Sequence, residues 1–411
     1  QKNLEAIDGL ELRSSMSSFA FKNQRRNLAD IGSRLGVGLV LEVSMFVAGE
    51  QLRVNARLTN VADDVALWTE TFDRHGKDIF AIQDDIALAI VNKLRLKLGR
   101  GQRRYETDQD VYYLFLSARG FQIKGSPENA TRAVDLFEQV VAKDPAYVPA
   151  WAGLASALGM LARLTQTPDL PPLDPRMEAA ALRAIQSDPM SAEAQAAMGS
   201  LYARKRNWAE SEASFQQAMA LNPSVTTTHT DFVLSTLMPL GRLDDAVRVL
   251  EDAHRADPES LDVRRVLALV QVDAGQYDAA IASCRWVMER NPKFPYIESW
   301  LGRALMLEGR TDEALAVFQR GNPNRCAYLG YHLAVTGPRA EAEALAATCE
   351  ARGQLMIYGG LGDKDRAFEA LELLAEQNWW RAATWMRRPE LALLRGDPRF
   401  AAIKKRLGLP Q

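Results

Sequence analysis

Few side chains in this sequence could do chemistry, and their spacing argues against most reactions. The four histidines, His75, His229, His254 and His332, are scattered, and none stands near a cysteine or carboxylate at metal-ligand spacing. Three cysteines, Cys284, Cys326 and Cys349, are too few for a disulfide framework and fit a reducing compartment. Gly32, Gly36 and Gly38 lack the flanking pattern of a phosphate loop or a dinucleotide fingerprint, and read as a helix end followed by a strand. No Gly-x-Ser-x-Gly elbow and no His-Glu-x-x-His helix occurs. The paired acids Asp84-Asp85 and Asp244-Asp245 fall where helices start, and negative charge there suits the positive end of the helix dipole. The expectation is a chain without catalysis, metal or cofactor.

What remains is scaffold. With 411 residues, 47% hydrophobic and 25% charged, the composition is globular and the length suits two to three domains. A formal net charge of −2 supplies no electrostatic pull toward nucleic acid. The basic run Arg95, Lys97, Arg100, Arg103 and Arg104 is balanced by Glu106, Asp108 and Asp110. Pro145 to Ala162 carries no charge, but its two prolines are expected to leave a helix of roughly 13 residues, too short to span a membrane. The chain starts at Gln1 without a Met or signal peptide and reads as a piece of a longer protein.

Asp/Asn-Pro pairs recur at Pro145, Pro189, Pro223, Pro258, Pro292 and Pro323, with spacings of 44, 34, 35, 34 and 31. Aligned on these prolines, Gly199 shares a slot with Leu234 and Ala268, while Phe215 shares one with Leu250 and Cys284. Gly241, Gly275 and Gly309 share the slot where two helices would turn, and Ala246, Ala280 and Ala314 share one where helices approach closely. The pattern resembles the tetratricopeptide repeat, a helix-turn-helix unit of 34 residues. It covers 108–377 in seven or eight units, degenerate after 323, with a Pro-rich insertion from Thr165 to Pro175 in the second. Beyond it, 378–411 reads as a capping segment whose Trp379, Trp380 and Trp385 close the end of the solenoid.

Residues 1–100 lack the repeat, and 101–107 form a basic linker. Leu39, Leu41, Val43, Met45 and Val47 alternate with more polar neighbours, as do Leu52, Val54, Ala56 and Leu58. Turns at Gly49-Glu50 and Asp63-Asp64 make these the first two strands of a meander that ends over Ala66 to Phe72, between helices at Arg25–Leu35 and Asp78–Leu98. Ser17 to Lys22, Ile31 to Val37, Val40-Leu41-Glu42, Leu67 to Glu70 and Asp78 to Asp84 together resemble the TolB-amino-terminal-like domain that precedes tetratricopeptide arrays in bacterial regulatory proteins. Leu361 to Ala367 and Leu394 to Phe400 resemble the closing segments of those chains. The family's opening apolar strand has no counterpart here, and Val43 stands where its members commonly carry glycine, so that strand is missing or lies outside this sequence, and the sheet edge is left exposed or filled by another chain.

The fold class is thus mainly α, a tetratricopeptide solenoid preceded by a small α+β domain. The resemblance implies a regulatory module that binds a partner peptide or protein in its concave groove. It leaves open two larger settings: the carboxy-terminal region of a class III adenylate or guanylate cyclase, or the effector region of a winged-helix transcription regulator. It also implies which slots of each first helix face the groove: Ala196 and Ser200, Asp231 and Ser235, Arg265 and Leu269, Ser299 and Arg303, with Arg204 and Asp273 a turn further on. Members that clamp a terminal carboxylate carry Lys and Asn in these slots, a pattern absent here. Arg265 and Arg303, one repeat apart, instead predict a partner with acidic residues flanking an apolar anchor. The expected compartment is cytoplasmic, or periplasmic should a membrane anchor lie upstream, and a homodimer is left open.

Overall fold

The computed structural model describes residues 27–48, 51–75, 107–123, 126–165, 173–223, 225–292, 296–320 and 325–410, with Arg13, Ser18, Phe21, Tyr105 and Phe294. At the amino-terminal end, helix α1 (Leu28–Leu35) begins where the Asn27 side chain accepts the Ala29 N–H, and stops at Gly36 in the left-handed region. That cap places its start inside the expected Arg25–Leu35 span. Strands β1 (Leu39–Ala48), β2 (Gln51–Asn60) and β3 (Val65–His75) form an antiparallel sheet in the order β1-β2-β3. Val43 lies opposite Ala56 and Met45 opposite Val54, as the alternation requires. The helix expected at Asp78–Leu98 and most of the Ser17–Lys22 run lie outside the described residues.

Val54, Ala56 and Leu58 on the central strand and Phe72 on β3 are buried. The outer strand β1 leaves Val43 53% exposed, Met45 49% and Phe46 60%, and no described strand pairs with its outer edge. Helix α1 reaches the helical array through Arg34, which pairs with the buried Glu259; Arg290 holds the same carboxylate at 3.2 Å.

The array is a succession of helix pairs, eight among the described residues. They are α2 (Gln109–Ile123) with α3 (Pro127–Lys143), α4 (Val148–Leu164) with α5 (Leu173–Ser187), and α6 (Ala192–Arg204) with α7 (Trp208–Leu221). Next come α8 (Thr226–Phe232) with α9 (Leu243–Ala256), α10 (Leu261–Asp273) with α11 (Tyr277–Arg290), and α12 (Ile297–Leu307) with α13 (Thr311–Phe318). The last two are α14 (Arg325–Thr336) with α15 (Arg339–Ala346) and α16 (Ala351–Gly360) with α17 (Lys364–Gln377). Helix α4 runs longer than its prolines suggested, because Pro149 falls in the first turn, where no helical N–H is needed. Even so, no helix among the described residues is long and apolar enough to cross a membrane.

The repeat slots have visible causes. Asp144 and Asp188 fold their carboxylates onto the N–H groups of Ala146 and Met190, at 3.0 Å each, while the following proline ends the helix. Gly241, Gly275 and Gly309 adopt φ of 73°, 77° and 86°, the conformation that lets the second helix turn back on the first. A Cβ on Gly199 would sit 2.7 Å from the Phe215 ring, so the glycine admits that ring between the two helices of its unit. Cys284 fills a core slot, and burial pushes its thiol well above the usual range.

The other two cysteines correct the sequence reading. Cys326 and Cys349 form a disulfide, with Cα atoms 5.8 Å apart. The α14–α15 hairpin brings together two residues that no spacing rule would have linked. Denatured without reductant, the chain should therefore titrate a single thiol, Cys284, and three after reduction. Closing a loop of this length should contribute on the order of 3 kcal/mol, seen as a lower unfolding midpoint in reductant.

Candidate functional site

The first helices of successive units line the concave side, and the chain's own carboxy-terminal segment lies across much of it. After α17 the segment forms α18 (Trp379–Trp385), a 3-10 turn (Pro389–Leu394) and α19 (Pro398–Arg406). It packs on the last helix pair, where Leu391 meets Gly359 of α16 and Arg399 lies over Phe368 of α17, and it reaches further than the end cap its tryptophans had suggested. It crosses back to α4 and α8, because those helices present carbonyls in need of donors. The Asn378 amide donates to the Ala162 and Thr165 carbonyls at 3.1 Å, and Arg381 donates to the Arg163 carbonyl at 3.2 Å, all at the carbonyl-rich end of α4.

At α8 the need arises from Pro239. Helix α8 continues through a π turn (Val233–Leu237), in which the Met238 N–H reaches back to Val233. Pro239 has no N–H, so the Leu234 carbonyl is left without a helical donor. The Trp380 indole fills that role at 2.7 Å, and Arg387 donates to the Pro239 carbonyl at 3.0 Å. Trp379 meets Trp208 with ring centroids 6.2 Å apart, and Trp385 stacks on Tyr328 at 6.3 Å.

This segment decides the fate of the expected groove residues. Arg303 is 1% exposed and unavailable to a partner: it donates to both oxygens of Glu390 at 2.7 and 3.0 Å, and to Asp273 at 2.7 Å. Burial opposes both charges, but the Arg303 guanidinium outweighs it and holds the Glu390 carboxyl below its usual range. Its two carboxylate neighbours hold Arg303 well above its own. Arg303 therefore cannot share in recognising acidic residues, and Asp273 is consumed with it. Ser200, Ser235, Leu269 and Ser299 are buried where neighbouring helices meet, and Arg204 lies half-buried with its guanidinium 5.8 Å from the Trp379 ring.

Ala196, Asp231 and Arg265 do come together. They line a cavity of about 120 Å³ at the amino-terminal end of the concave side, shared by α2, α4, α6, α8 and α10. Its polar wall is a chain of hydrogen bonds. Gln122 donates to Ser156 at 2.8 Å, Ser156 to Asp231 at 3.2 Å, and Arg163 to Asp231 at 3.2 Å and Ser235 at 3.1 Å. Burial pushes the Asp231 carboxyl up against the pull of Arg163, and lowers Arg163 in turn. Arg265 turns to Asp262 at 3.0 Å and lies 5.5 Å from the Trp300 ring.

Arg119, Gln122, Ser156 and Arg163 were missed in the sequence, because slots were read only from the unit ending at Pro223 onward. Gln122 precedes Pro145 by the same offset as Ser200 precedes Pro223, so one signal was present. The insertion after α4 shifts Pro189 and hides Ser156 and Arg163, and Arg119 falls outside the two slots. Among the described residues, no group of three His, Cys, Asp or Glu could hold a metal ion.

Comparison with known proteins agrees with this architecture. Families described as tetratricopeptide repeat match residues 195–227, 237–285 and 265–323. The array is a tetratricopeptide solenoid, a protein-interaction scaffold, and these matches cover repeats with no catalytic domain. A curated relative, "Putative adenylate cyclase 3" of Rhizobium meliloti (strain 1021), is 32% identical over 158 residues, covering 37% of this chain and 27% of the relative's length. Among solved structures, the APC/C hetero-tetramer Cut9-Hcn1 aligns at TM-score 0.50 and 13% identity, over 72% of this chain and 55% of that one. Pseudomonas aeruginosa pilF aligns at TM-score 0.36 and 18% identity, over 59% and 96%. At 13% identity the likeness to Cut9-Hcn1 is one of fold.

Replacing Glu390 by Gln leaves Arg303 short of a counter-charge and should cost about 3 kcal/mol in urea unfolding. Because the folded-state carboxyl lies below the ordinary 4.5, its contribution is present above that pH and is lost as the pH falls through the folded value. E390Q should flatten that part of the acid limb.

Proposed function

We propose that the open amino-terminal end of the concave groove holds a segment of a protein partner, and that the chain serves as a regulatory module of a bacterial signalling protein. The observation that carries this reading is the cavity itself. Five consecutive first helices contribute to it, while the carboxy-terminal segment fills the groove further along. Close-packed interiors leave few voids larger than a water molecule, so a cavity of this size supports a site meant to be entered.

A second reading rests on the cyclase-named relative: the chain is a sensory region that governs a nucleotide cyclase in the intact protein. The Cys326–Cys349 disulfide favours an oxidising compartment for it, the periplasmic alternative rather than the cytoplasmic one. If so, groove substitutions in the intact protein change cyclic-nucleotide output without touching a catalytic residue.

Filling the cavity tests the first reading. Peptides selected from a random display library on the full chain should bind Ala196→Trp at least tenfold more weakly. Leu182→Trp, on the exposed side of α5, should bind them unchanged. Equal binding to all three proteins would place the interaction elsewhere.

A further inference from the structure

Three guanidinium groups and three carboxylates line the cavity, so an extended acidic run gains nothing there from net charge. The pairing within it is uneven, however. Arg163 is committed to Asp231 and Ser235, and Arg265 to Asp262. Arg119, on α2, makes no ion pair with any described residue, although Glu193 lines the same cavity; its guanidinium lies 5.9 Å from the Phe115 ring. It is half-buried, so its five N–H groups are partly withdrawn from water. Beside it the wall is apolar, formed by Phe115, Pro149 and Ala152.

From this we infer that the partner segment enters with one acidic side chain set against Arg119 and an adjacent apolar side chain seated on Phe115, Pro149 and Ala152. The inference rests on the proposed use of this groove and names the chemistry of its occupant. A single carboxylate completes the unmatched guanidinium in bidentate fashion, whereas a second would meet Glu193, Asp231 or Asp262. The apolar neighbour removes the walls from water and supplies the non-directional part of the affinity. This moves the acidic recognition expected of Arg265 and Arg303 to the first unit, four and five units earlier in the chain.

A double-mutant cycle on the full chain tests it, with a peptide from the display selection as probe. Peptides that bind the wild type but not Ala196→Trp should carry one Asp or Glu within two positions of Leu, Ile, Met or Phe. Changing that acid to its amide should weaken wild-type binding about tenfold, yet alter binding to Arg119→Gln less than twofold. Arg119→Lys should recover part of the loss. A matching melting temperature for both variants excludes unfolding as the cause. If groove-dependent peptides lack an acid, or the acid matters equally to Arg119→Gln, the assignment of Arg119 fails while the groove reading stands. If no selected peptide is sensitive to Ala196→Trp, both fail.

Discussion

A positive charge with 1% exposure needs its counter-charge brought to it, and Arg303 obtains one from Glu390, 87 residues further along the chain. Neither partner is tolerable alone at that depth. The contact therefore ties the sixth helix pair to the segment beyond the eighth. Once Glu390 is held there, Trp385 lies on Tyr328, Arg387 reaches the end of the α8 helical run, and Asn378 and Arg381 reach α4. An array that would otherwise depend on neighbour-to-neighbour contacts gains links between distant units.

The same segment divides the concave side. The Leu234 carbonyl, left without a donor by Pro239, and the terminal carbonyls of α4 are polar groups that a bare groove would leave to water. The segment satisfies them with an indole, an amide and guanidinium groups, so that part of the groove is built as an interior. The part shared by α2, α4 and α6 has no such cover among the described residues and keeps a cavity. Its Arg163–Asp231 pair is also the less settled of the two buried pairs. Hydrogen bonds of 3.2 Å leave Asp231 raised by burial, whereas the bonds around Arg303, at 2.7 to 3.0 Å, hold Glu390 low.

The structural likeness is one of architecture. Likeness to Cut9-Hcn1 at 13% identity speaks to helix packing and not to ligand. The local features of this chain are the α2 guanidinium without an ion pair to a described residue, the π turn that runs into Pro239, and the disulfide that staples the α14–α15 hairpin.

The sequence by itself determined the repeat, because each unit is a local object. The Asp-Pro turn, the glycine that needs positive φ and the glycine that admits Phe215 are contacts within a few dozen residues, and each leaves its mark at a fixed period. The same holds for the three-stranded meander, whose alternation sets its own register. The fifth-slot residues Ala196, Asp231 and Arg265 were legible on those grounds, and the cavity unites them. Only the tertiary structure decided that Arg303 is interior, that Arg119 lines the cavity without an ion pair to a described residue, and that Cys326 pairs with Cys349. The reason is one of distance along the chain. Slot periodicity says which way a side chain points from its own helix, but not what arrives from 87 residues away to meet it.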